Sequence, residues 1–152
     1  MSLTIEEIKN RIKQVSLSHE DIESFDFGES FDVANFKNAT YPMCFLELPY
    51  LLTYLDDRRF KTIQLAINFL GRGDFEKDRE YTNEVISNME LIGDAVITKL
   101  EQEYTDFKFD SVNAVSLRDF SDDSLSGVRY EVIIRTQRAF CTKRSYNSKF
   151  TK

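Results

Sequence analysis

The chain carries a single histidine, His19. An imidazole zinc site or a Ser-His-Asp triad needs partners that one imidazole does not supply. His19 therefore reads as a surface residue of a loop or short helix. Asp74, Glu76, Asp78 and Glu80 stand at alternate positions, as at the start of a calcium loop. The match fails where that loop is strict. Arg79 occupies the position that needs glycine, and Val85 the position of the bidentate glutamate. These acids instead suit the positive end of a helix. Asp122, Asp123 and Ser124 read as a turn. The Gly-Arg-Gly run at 71–73 lacks the Lys-Ser/Thr of a phosphate loop. Cys44 lies on an apolar strand side with no basic neighbour in sequence to activate it. Cys141 is far from it, with no Cys-x-x-Cys spacing, so both thiols read as free and buried. These residues predict no catalytic group, no cofactor and no metal. An acid pair drawn from the many carboxylates is the one enzymatic alternative.

Charge is distributed unevenly. Residues 138–152 hold five of the 20 basic residues and none of the 26 acids, so that segment is +5 and residues 1–137 carry −11. An acidic body has no electrostatic reason to grip nucleic acid tightly. The segment RAFCTKRSYNSKFTK (138–152) interleaves Phe140, Tyr146 and Phe150 with Lys143, Arg144, Lys149 and Lys152. It has no helical stripe, and aromatics with arginine are what protein interfaces favour. It reads as an extended arm, with Phe140, Lys143, Arg144, Tyr146, Lys149 and Phe150 as partner-binding residues. The expected counter-surface is the acidic body of another chain.

The elements that would carry such an arm are legible. At 152 residues the chain fits one domain, 1–152. Thr4 and Glu7 make a capping box, with Leu3 and Ile8 at the staple positions. Ile5, Ile8, Ile12 and Val15 then form one apolar stripe, predicting a short helix within 1–18. Ser-His-Glu-Asp at 18–21 reads as a second cap opening a short turn. Residues 25–40 show no period and read as a Phe-rich loop, draped on the core or touching a neighbour. Residues 41–48 read as a strand covered on both faces, kept short or at an edge by Pro42 and Pro49. Residues 61–71 alternate, with Ile63, Leu65, Ile67 and Phe69 inward. Residues 78–104 repeat Val85, Met89, Ile92, Val96 and Leu100 at helical spacing, widened by Ile86, Gly93 and Ile97. Gly93 suggests a close approach of the sheet's backbone. Residues 109–120 and 127–137 read as a hairpin, with Ile133 breaking its polar side. The fold class is α+β: a mostly antiparallel sheet, one long helix packed on it and a short first helix, with the core at 41–137. No apolar run approaches the roughly 20 residues of a membrane span. The acidic start MSLTIEEIKNRI lacks the basic region and apolar stretch of a signal peptide, which predicts a cytosolic protein and no membrane partner.

Four segments resemble the small tailed-bacteriophage proteins of the head–tail junction, variously called neck, head–tail joining, tail-completion or ring proteins. They are YPMCFLELPYL (41–51), FKTIQLAINFL (60–70), EVISNMELIGDAVITKL (84–100) and DDSLSGVRYEVIIRTQRAFC (122–141). The Asn/Asp-rich loops and the absence of Trp resemble crAss-like phages of gut Bacteroides hosts. The resemblance implies a structural virion protein at the head–tail junction, present in the host cytoplasm during assembly. It implies a closed ring, often of six or twelve copies, that seals the junction, contacts portal, neck or tail rings and leaves a channel for the genome. It brings no cofactor and no active-site residue. The first helix departs from the shortest members and would serve as outer decoration or as a contact with the adjoining ring. The alternative reading is a non-viral intracellular protein-interaction module.

Overall fold

Thr4 starts the first helix, α1 (Ile5–Ser18). Its hydroxyl accepts from the Glu7 amide at 3.2 Å, and its own amide donates to Glu7 Oε2 at 2.8 Å. Two orphan amide donors are thereby satisfied at once. The computed structural model describes residues 3–29, 39–55, 59–73, 79–120 and 125–137. After α1 come β1 (Ser24–Glu29), β2 (Met43–Tyr54), β3 (Phe60–Arg72), α2 (Arg79–Glu103), β4 (Phe107–Phe120) and β5 (Leu125–Gln137).

The strands form one five-stranded sheet in the order β1-β2-β3-β5-β4. β1 runs parallel to β2, and the other three pairings are antiparallel. The chain is therefore α+β with a mostly antiparallel sheet. Both helices contribute to one core on one sheet face. Ile8, Ile12 and Val15 of α1 and Met89, Ile92, Val96 and Leu100 of α2 join Cys44, Leu46, Ile63, Leu65, Ile67, Phe69, Val128, Tyr130, Val132 and Ile134. Burying each large side chain contributes roughly 1.5–3 kcal/mol. A smaller cluster of Met43, Phe45, Leu70 and Leu125 lies on the opposite face.

Four expectations are corrected. Residues 24–29 are not loop: they form an edge strand beside β2. Asp26 and Gly28 mask the alternation of Phe25 and Phe27, and parallel pairing with a distant segment leaves no local signal. The second strand is neither short nor at an edge. It continues through Pro49 to Tyr54, and the ladder register shifts between Glu47 and Leu51, where a residue without an amide hydrogen is tolerated. The core begins before residue 41, because Leu3 and the stripe of α1 are part of it. The first helix is thus a packing element of the domain. At Gly93 the close neighbour is a side chain: an added Cβ would meet the Tyr130 ring, with Cζ and Oη at 2.8 Å.

Candidate interaction surface

Residues paired across a sheet share a face, so the ladder defines the face opposite the helices row by row. Met43, Leu70, Gly127 and Leu117 form an apolar row at one end. Phe45, Asn68, Arg129 and Val115 come next, then Glu47, Ala66, Glu131 and Asn113, then Leu51, Gln64, Ile133 and Ser111. No helix covers these rows among the described residues. Leu51 is 58 % exposed and Val115 51 %. Sequence alternation alone places these residues away from the helical core. The register then brings four separate segments into contact.

The centre of this face is a charge cluster. Arg129 donates from Nε and Nη2 to the two carboxylate oxygens of Glu47, each at 3.0 Å. Its Nη1 also donates to Glu131. Buried Asn68 donates to Glu47 Oε1 at 3.0 Å. The two-point fork fixes the guanidinium plane. Hydrogen bonding to Glu47 is the main cause that raises the Arg129 pKa, against the lowering effect of burial. A cleft of about 210 Å³ beside it is lined by Glu47, Leu51, Gln64, Ala66, Arg129 and Glu131. Nearby, Arg135 Nε donates to Asp110 Oδ2 at 2.8 Å. Arg129 and Arg135 are thus paired with acids of their own chain, while Lys108 on the same face has no ion pair among the described residues, and apolar Leu51, Ile133 and Val115 lie beside them.

A second concavity lies on the helical side, between α2 and the turn that follows α1. The turn is tied down by backbone bonds from His19 to Ser16, from Ile22 to His19 and from Glu23 to Pro42. His19 Nδ1 accepts from the Asp21 amide at 3.1 Å. The groove has a volume of about 550 Å³, with Glu20, Asp21 and Glu23 on one wall and Asn88, Met89, Leu91 and Ile92 on the other. Met89 and Ile92 form a buried apolar floor, while Leu91 is 69 % exposed. None of the three carboxylates forms an ion pair among the described residues.

Two groups outside these surfaces, Cys44 and Tyr130, are held by the core. Cys44 is free and buried, accepts from Ser16 Oγ at 3.2 Å, and has its pKa pushed up to about 12 by burial. Burial, and then the bond to Asp94, pushes the Tyr130 phenol up. That hydroxyl donates to Asp94 Oδ1 at 2.6 Å and lies 3.0 Å from the Glu90 carbonyl oxygen. Neither group is set to act as a nucleophile at neutral pH. Among the described residues no three His, Cys, Asp or Glu side chains cluster to hold a metal, and no helix is long and apolar enough to cross a membrane.

Phe140, Lys143, Arg144, Tyr146, Lys149 and Phe150, expected from sequence to bind a partner, lie outside the described residues, as do Cys141, Asp74, Glu76 and Asp78. His19 is at the C-cap of α1, half-buried in the groove turn. Sequence reasoning missed the Glu47–Arg129 fork and the groove. A signal for each was present: Glu47 interrupts an apolar strand, and Leu91 is a large apolar residue off the helical stripe. Neither a family model nor a curated protein matches this chain.

Proposed function

We propose that this chain is a structural virion protein that forms a ring at a phage head–tail junction, sealing it and leaving a genome channel. The observation that carries the reading is the exposed part of the sheet face opposite the helices, beside the buried cluster of Met43, Phe45 and Leu70. That part presents exposed Leu51 and Val115 and half-buried Ile133 around Arg129 and Arg135, each paired with acids of the same chain. A face of that kind serves lateral contact between copies better than it serves a small ligand. Made head-to-tail against a different surface of the next copy, such a contact repeated around an axis closes a ring. The four segments that resemble junction proteins supply the location, and they imply contacts with portal, neck or tail rings. An excess of acid in residues 1–137 suits a channel that passes DNA without holding it. The work of the protein is then assembly and not catalysis, with no cofactor.

The test is an antibody against this chain applied to phage particles from cells that express it. Label at the single vertex between head and tail, in constant amount per particle, is expected. Particles free of the chain, or label spread over the capsid, would exclude the role. A duplex-DNA titration is the companion measurement: tight, salt-sensitive binding by the purified protein contradicts a non-binding channel.

A further inference from the structure

We infer that the groove between α2 and the turn at residues 19–23 is the receptor for residues 138–152 of a second copy. The inference rests on the self-assembly reading above and names a second contact between copies, besides the sheet face. Two observations carry it. The first is complementarity. The groove pairs an apolar floor and a protruding Leu91 with a wall of three acids that form no ion pair among the described residues. Residues 138–152 pair three aromatics with five cations and no acid. Aromatic rings suit the floor, and ammonium and guanidinium groups suit the wall. A cleft of about 550 Å³ lies within the usual range of about 300–1,000 Å³ for binding clefts.

The second is geometry. Gln137 pairs with Phe60 at the start of β3. Gly93, one residue past the groove wall on α2, lies against Tyr130. β5 thus travels from Tyr130 to Gln137 before residue 138 begins, about 23 Å at the strand rise. The chain leaves β5 heading away from its own groove and would have to reverse to fill it. Fully extended, residues 138–152 span at most about 50 Å, enough to cross a small-domain neighbour of about 30 Å.

The experiment uses the full chain with benzoyl-phenylalanine in place of Phe150. Light and heavy isotope-labelled preparations are mixed in equal amounts, irradiated and digested. Mixed-isotope cross-links to residues 19–23 or 88–92 are expected. Leu91→Lys, and separately the triple change Glu20→Lys, Asp21→Lys and Glu23→Lys, should reduce their yield at least about tenfold through steric and like-charge conflict. Leu91 is exposed, so Leu91→Lys should keep the wild-type melting temperature. Groove cross-links confined to one isotope would show self-capture and overturn the inference. Mixed-isotope cross-links that fall elsewhere overturn the groove while leaving the ring reading intact. A chain that stays monomeric and gives no cross-link overturns both.

Discussion

At the scale of single residues, three side chains set sharp expectations. Tyr130 fills the space that a Cβ on Gly93 would need, and its hydroxyl is anchored at Asp94 and Glu90, so the ring cannot swing aside cheaply. Gly93→Ala should gain about 1 kcal/mol of helix propensity yet lose more to overpacking, for a net destabilisation of about 1–2 kcal/mol. A chemical denaturation curve at or above wild type would show that the ring relocates. Arg11 holds Asp106 through bonds of 2.6 and 2.9 Å, tying α1 to the segment that enters β4. The hydrogen bond to Arg11 lowers the Asp106 pKa, outweighing burial. A carboxylate whose folded pKa is depressed stabilises the fold above its unfolded value, near 3.9, and loses that contribution as pH falls through the folded value. The gap between wild type and Asp106→Asn should be about 1 kcal/mol or less near pH 6. It should shrink toward zero below about pH 4. A gap independent of pH would mean that Asp106 acts only through packing. Cys44, in a Cys141→Ser background, should resist thiol reagents at pH 8 until the protein unfolds; prompt modification of the native state would contradict its burial.

At the scale of elements, α2 is the anchor of the helical face. Ile92 is 6 % exposed against the sheet. Ile92→Asp places a charge there and should destabilise by roughly 3–5 kcal/mol, enough to unfold a marginal domain. A wild-type melting temperature for that variant would refute the packing of α2 on β3 and β5. This element, the capping box of α1 and the β4–β5 hairpin were legible in sequence because their signals are local: a 3.6-residue stripe, a Thr-x-x-Glu spacing, an alternation around an acidic turn. β1 was not, since its pairing with β2 is parallel and distant and its own residues mix Phe with Asp and Gly. The passage of β2 through Pro49 was also hidden, because proline predicts a strand end unless a register shift absorbs it. The same limit explains the surfaces. Glu47 and Arg129 are far apart in sequence and meet only through the strand order β2-β3-β5. Glu20, Asp21 and Glu23 become a groove wall only when α2 arrives beside them. The aromatic-basic pattern of residues 138–152 was legible, but a pattern in one segment does not reveal its receiving surface.

At the scale of the whole molecule, the two faces of the sheet divide the labour. One is filled by both helices and holds the fold together. The other buries Met43, Phe45 and Leu70 in a small cluster and elsewhere exposes Leu51 and Val115 beside ion-paired Arg129 and Arg135, which fits a region that meets another copy. Removing Leu51 and Val115 together, as Leu51→Lys with Val115→Lys, should leave the monomer folded and weaken lateral association at least about tenfold, since both are more than half exposed. Sedimentation velocity of the pair would show the shift. The proposed role requires closed self-assembly. Its most direct test is sedimentation velocity of the wild-type chain across concentration, alone and mixed with the proteins encoded beside it. The prediction is a discrete species at a closed multiple of 17.8 kDa, on the order of six or twelve copies, or a larger complex that contains that multiple. A 17.8 kDa monomer at every concentration and in every mixture would contradict it.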